Sequence, residues 1–516
     1  MTTVAVAAPG SDAVAAAAAV VDLGGNAVDA AVAAMVVATC TEPGIVSPMG
    51  GAFVNVWPPG GDAVVIDGNC EMPGRGRSRW QRGDGTRAVS MDYSGGITVW
   101  GGAGSVATPG MFLALSQAAQ QWGVVPWAEL MAPAAHVVRR GYRLGATSAY
   151  YLGFAVQELF AEDPDLVSFL AQAGDPPTAG CLLRDPDLAE ALDRVGREGA
   201  QDLYTGELGT ALAQVVQDGG GLLGREDLAA YRTVTRPALS SQLGRWDLAV
   251  NPAPSVGGPV LTAMVRLLQR RHQEHGVVDA ADLVDIQRQV LAYRRRRVDV
   301  AEDLERAGRE LLDMIDAAGG SGNLVLSSSP DTVHVSTVDA TGLACAITAS
   351  AGYGAGVTVP GTGLALNNAL GEPELNRRGM HALPAGTRLA SNMAPTTARR
   401  DDGTVLAIGS PGADRITTAL FQVLSGVCLD ELPVQAAVDR PRLHVHVDEA
   451  GAQLVRYERC PELAETVRGL TIPTEDLDPL TMYFGGVGAA LCRPDGTVTA
   501  AGDPRRAAAT GVRSRG

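Results

Sequence analysis

The chain has 516 residues, of which 46% are apolar and only 4% aromatic, and it contains 63 glycines. That is too long for one small core, so it builds either two or more domains or one large multilayered domain, and the composition suits a compact, Ala/Val-rich enzyme of helices and strands better than a fibrous or disordered chain. The formal charge is −16 and every basic residue is arginine, an acidic balance that argues against nucleic acid and anionic membrane as partners.

The N-terminal MTTVAVAAPGSDAV has no basic leader region, and the apolar stretch after it is broken by Gly24, Gly25, Asn26 and Asp29. Neither a signal peptide nor a membrane span is expected. The segments DAVAAAAAVVDLGG and NAVDAAVAAMVVATC read as two helices, the first closed by a glycine pair and the second opened by Asn26 as N-cap. AFVNVW and AVVID follow as strands, and two helices are expected between Thr108 and Gly141, the second with Pro126 in its first turn. Residues 186–318 carry mainly helical spacing, interrupted by the strand WDLAV and the turn-rich NPAPSVGGPVL. Arg294 to Arg297, with the acids after them, read as a solvated helix face. A Gly/Ser-rich run at 317–331 then gives way to strands: VHVSTV and LACAIT as a hairpin, and later TVLAIG, GVGAALC and TVTAAG.

In VHVSTV the strand period of two puts Thr332, His334 and Ser336 on one face. SPGADRITTALFQVL is a turn opening a helix, which leaves the backbone N–H groups of Gly412 and Ala413 available to a developing oxyanion or a static anion. The pairs His444/His446 and His272/His275 lack the further ligand of a closed metal site and read as structural. The seven cysteines are scattered, odd in number and never spaced as CxxC. Reduced thiols, a cytoplasmic protein and no zinc site are expected. No true GxGxxG is present, so a nucleotide cofactor is not expected.

Taken in order, GGNAVDAAVAA (24–34), EPGIVSPMGGAFV (42–54), VATPGM (106–111), GREDLAAY (224–231), NPAPSVGGPVL (251–261), DTVHVSTVDATG (331–342), PGTGLALNN (360–368), SNMAPT (391–396), GSPGADRI (409–416) and GDPRR (502–506) resemble the gamma-glutamyltranspeptidase family of N-terminal nucleophile hydrolases nearly end to end. The resemblance implies an α+β fold, a four-layer αββα sandwich, made as a precursor that cuts itself between Asp331 and Thr332. Residues 1–331 and 332–516 would then be the large and small parts of one heterodimeric domain, open to further oligomerisation. It further implies Thr332 as nucleophile, Ser350 as the hydroxyl beside it, and the amides of Gly412 and Ala413 as the oxyanion hole, with no cofactor and no metal. After cleavage the threonine amine, titrating at about 7.7–8.0, accepts the hydroxyl proton.

The likeness fails in the substrate pocket. Where the family has an arginine for the glutamyl carboxylate, IDGNCEMPGRG places Asn69 or Cys70, with Arg75 and Arg77 nearby as substitutes. Around the glutamyl amino group the family's glutamine and aspartate align with Ala369 and Glu372 after Asn367 and Asn368, and the serine pair becomes Ser391 and Asn392. The stretch 370–390 is too short for a lid loop. The reading is therefore a self-processing hydrolase acting on an amide-like or acyl bond, or a C–C bond next to a carbonyl, in a small molecule other than glutathione, in the manner of relatives in actinobacterial antibiotic biosynthesis. A genuine gamma-glutamyl hydrolase or transferase is the first alternative and a non-catalytic binding descendant the second.

Overall fold

The computed structural model describes residues 2–77, 85–93, 96–317, 332–447 and 452–515. Asp331 and most of the Gly/Ser-rich run at 317–331 lie outside them.

Two antiparallel sheets form the centre. The seven-stranded sheet runs, edge to edge, Ala508–Arg515, Thr2–Pro9, Val333–Asp339, Ala344–Ser350, Gly51–Trp57, Val64–Gly68 and Val234–Pro237. The six-stranded sheet runs Val498–Ala501, Gly488–Cys492, Val405–Gly409, Thr396–Arg400, Trp246–Val250 and Leu239–Leu243. They pack face to face through Val333–Asp339 and Ala344–Ser350 against Val405–Gly409 and Gly488–Cys492. Their shared core is built largely from small residues, among them Ala5, Ala344, Ala346, Ala407 and Ala490, which lets the sheets pack closely.

Helices cover both outer faces. On the first sheet lies Ala27–Thr41, buried along its whole length, which is why its sequence is apolar all round rather than striped. Its start is fixed locally: the Asn26 side chain accepts from the amides of Val28 and Asp29, and Asp29 accepts from the amide of Asn26. On the second sheet lie Gly257–His275, Ala280–Tyr293, Leu304–Ala317 and Arg415–Cys428, sharing a second large core. The expected αββα order is thus present.

One expectation is corrected. Arg296 and Arg297 are exposed, but Arg294 is 1% exposed and donates from Nε to Asp299 Oδ1 at 3.0 Å. The backbone widens to a π turn over Arg294–Val298, which shifts the side-chain phase that an α-helical reading assumes. Among the described residues no helix is long and apolar enough to cross a membrane.

Candidate active site

Thr332 stands one residue before the strand Val333–Asp339, at the end of the inter-sheet space, and is 4% exposed. The ladder pairs Val333 with Ala349 and His334 with Thr348. Continued by one residue, that register sets Thr332 across from Ser350, which itself pairs with Gly51. The hydroxyl of Ser350 accepts from the amide of Gly352 at 3.3 Å.

A small cavity of about 30 Å³ is lined by Thr332, His334, Pro411, Gly486, Gly488, Glu42 and Arg506. Its size is that of a bound water. It brings the threonine and the Ser-Pro-Gly-Ala turn, which are distant in sequence, to one place. In that turn Gly412 has φ 125° and Ala413 φ 53°, and Ala413 therefore stands in the left-handed region that a Cβ disfavours, at a cost of about 1 kcal/mol. Neither amide donates to another described residue. The turn is held from behind: the amide of Gly486 donates to Ser410 Oγ at 3.1 Å, and Asp503 Oδ2 accepts from the amide of Val487 at 2.8 Å. Asp503 is also paired with Arg442 at 2.6 Å and Arg505 at 3.1 Å, all of them buried. In GDPRR, then, Asp503 and Arg505 are supports, while Arg506 reaches the cavity.

His334, on the same face as Thr332, is not a proton carrier. Its Nδ1 meets Thr348 Oγ1 at 2.8 Å and its Nε2 meets Ser336 Oγ at 2.7 Å, and Ser336 in turn donates to the carbonyl of Gly488 at 3.1 Å. Burial away from any counter-charge pushes its pKa down to about 3. The ring fits because position 409 is glycine: a Cβ there would lie 2.2 Å from His334 Cε1. His444 is likewise buried, with Nδ1 at 3.0 Å from Thr418 Oγ1 and Nε2 at 3.5 Å from Asp414, and burial pushes its pKa down despite that carboxylate. Among the described residues no group of His, Cys, Asp and Glu is arranged to hold a metal ion.

Of the expected substrate-side residues, Asn368, Glu372, Asn69 and Cys70 lie against the glycines that adjoin Ser350, whereas Ser391 and Asn392 lie against Gly257. A Cβ on Gly352 would lie 2.2 Å from Asn368 Oδ1 and 3.1 Å from Glu372 Oε1, and one on Gly51 would lie 2.8 Å from Asn69 Oδ1. Asn367 is fully used as a clamp, donating to the carbonyls of Met49 and Ala107 and accepting from the amides of Ala107 and Ala369. Asn368 donates to the carbonyl of Trp100 at 3.2 Å. The amide nitrogen of Asn69 holds the carbonyl of Leu389 at 2.9 Å, and Cys70 is buried in an apolar cluster with Met72, Ala107, Leu370 and Leu389. Burial, with Glu372 nearby, pushes the Cys70 thiol up to about 12, so it stays protonated. The carbonyl of Ser391 accepts from the amides of Val256 and Gly257 at 2.9 Å, and Asn392 packs against Gly257. Ser391 and Asn392 thus wrap the start of the helix Gly257–His275.

Arg75 is committed elsewhere, to Glu71 at 2.9 Å and Asp227 at 3.7 Å. Its neighbour in that network is a residue the sequence did not single out: Arg388, 6% exposed, ion-paired to Asp67 and Glu71 and stacked 4.4 Å over Tyr231. Glu42 and Arg506 were also missed, although both lie in segments that carried the family likeness.

With this geometry in view, comparison with known proteins gives a consistent result. The family model described as gamma-glutamyltranspeptidase matches residues 13–512, and the chain belongs to that family. It is an enzyme of the N-terminal nucleophile hydrolase class. The acylase ACY 1 proenzyme of Pseudomonas sp. (strain SE83) is 29% identical over 500 residues, covering 93% of this chain and 88% of that one. The glutathione hydrolase proenzyme of Escherichia coli (strain K12) is 26% identical over 527 residues, covering 93% and 87%. The crystal structure of cephalosporin acylase from Bacillus halodurans superposes with a TM-score of 0.80 at 23% identity, covering 100% of this chain and 96% of that one, which establishes the shared fold.

Proposed function

We propose that Thr332 is the nucleophile of a self-processing acylase-like hydrolase whose substrate is a small molecule other than glutathione. The observation that supports the reading is that Thr332 lines one small cavity with Pro411, the residue before the Gly412 and Ala413 amides, while the strand register carried on by one residue sets Thr332 across from Ser350.

In processing, Thr332 Oγ1 attacks the carbonyl carbon of Asp331, the peptide nitrogen leaves as the new α-amine, and water hydrolyses the resulting ester. The products are residues 1–331 and 332–516, held together as one αββα unit because strands of both parts are interleaved in the seven-stranded sheet, Thr2–Pro9 lying between Ala508–Arg515 and Val333–Asp339. In turnover the α-amine takes the Oγ1 proton as the oxygen attacks the substrate carbonyl, and the negative charge on the carbonyl oxygen is met by the two turn amides. The amine then gives its proton to the leaving group, and water releases the acyl group from Thr332. The acylase relatives, at 29% identity, and the presence of Asn69 or Cys70, the latter in an apolar cluster, where the family keeps an arginine support a changed acyl specificity. Glu372, which retains a carboxylate at the family's aspartate place, together with the glutathione hydrolase relatives, favours a gamma-glutamyl substrate as the second reading.

A denaturing gel of the purified protein beside Thr332→Ala tests the assignment. Wild type is expected as pieces of about 34 and about 19 kDa, scaling 53.2 kDa by length, and Thr332→Ala as one chain. An uncut wild type, or cleavage that survives the substitution, sinks the nucleophile. Release of nitroaniline from a gamma-glutamyl nitroanilide at family-like rates would favour the second reading over the first.

A further inference from the structure

A second and larger cavity, of about 240 Å³, is lined in part by Ala351 and Gly352, the two residues that follow Ser350. Gly352 has φ 61°, and a Cβ there would meet Asn368 and Glu372, so this cavity adjoins a residue in contact with the expected substrate-side groups.

Its lining includes apolar, acidic, basic and hydroxyl groups. Val46, Phe160, Phe169 and Leu188 supply an apolar wall. Asp165, Asp185 and Asp187 supply carboxylates, and among the described residues none of the three has an ion-pair partner, in a chain whose arginines pair widely elsewhere. Arg184 also lines the cavity, but its Nε is given to the carbonyl of Arg140 at 3.1 Å. Burial, with Asp187 and Asp165 adding to it, pushes the Asp185 carboxyl above its ordinary value. Finally, Ser47 and Thr358 line the cavity at 7% and 6% exposure, and their hydroxyls have no hydrogen-bond partner among the described residues. Buried hydroxyls are ordinarily satisfied, so these two at one cavity are open to a polar atom that enters it, of a ligand or of water.

We propose that this cavity binds a molecule with an apolar body and a protonated amine, held by the Asp165, Asp185 and Asp187 carboxylates with the Ser47 and Thr358 hydroxyls bonding its polar atoms. This cavity shares no lining residue with the one at Thr332, so the proposal does not rest on the Thr332 reading. The chain's net charge of −16 works in the same direction by raising the local concentration of cations.

Calorimetric titration of wild type and of Thr332→Ala with 2-phenylethylamine tests this, with 2-phenylethanol and 3-phenylpropionate as neutral and anionic counterparts. The amine is expected to bind saturably to both proteins, and the alcohol and the acid about tenfold more weakly. Asp165→Asn with Asp187→Asn, at exposed positions, should weaken the amine by about five- to tenfold and leave the alcohol unchanged. An amine that binds no better than the alcohol, or that ignores the double substitution, overturns the proposal. Because Thr332→Ala is titrated too, a failed nucleophile assignment leaves this test intact, and an empty cavity leaves the nucleophile untouched.

Discussion

Acid should unfold this protein through His334 before most of its carboxylates titrate. An unfolded histidine ionises near 6.5, whereas His334 in the fold is pushed down to about 3. Between these values the unfolded chain binds a proton that the folded chain refuses, so stability rises with pH across that window and falls as pH is lowered through it. At pH 4.5 the distance from the unfolded value is about two pH units, which corresponds to about 2.7 kcal/mol lost from this one ring. The cause is steric as well as electrostatic: Gly409 and Gly488 close over the imidazole and its two partners are hydroxyls, so no anion is at hand to accept the charge. The assay is thermal or urea unfolding of wild type and His334→Gln at a series of pH values between 7 and 4.5. The variant is expected to be less stable at pH 7 but flatter in pH, its curve lacking about that much slope. His444 and His446 are also pushed down, the latter to about 4, and they contribute equally to both proteins. Parallel pH profiles for wild type and His334→Gln would refute the reasoning.

Two further outcomes follow from the same geometry. Gly409→Ala drives a methyl to within 2.2 Å of the His334 ring, and should cost about 2–4 kcal/mol through overpacking and lost hydrogen bonds; a double variant with His334→Ala should recover part of it, and purely additive effects would deny the contact. Ser350→Ala should slow turnover about tenfold in kcat with a smaller change in KM, and Ser350→Thr should restore it, a pattern that mere structural loss would not give.

Many of the sandwich's helices and strands were legible in the sequence because they announce themselves over short spans, while their stacking in four layers was implied by the family resemblance. Alternation marks VHVSTV, Asn26 and Asp29 cap a helix within four residues, and SPGAD stops a strand and opens a helix. Two strands at 234–243 were missed inside a stretch read as helical, since edge strands show little burial to pattern their sequence. The arginine run misled because one π turn rotated Arg294 inward to Asp299, and no local spacing reports that.

The sequence by itself determined which hydroxyl stands at the head of a strand and which turn offers two amides, since both depend on residues adjacent in the chain. Only the tertiary structure decided that Thr332 and Pro411 of that turn line one cavity, that Thr332 continues a register toward Ser350, and that Cys70 sits in an apolar cluster beside a buried Arg388. Many of these relations join residues far apart in the chain, Asp67 with Arg388 and His334 with Gly409 and Gly488 among them. They arise from strand order and sheet packing, where the free energy of each contact depends on every element that brings the partners together.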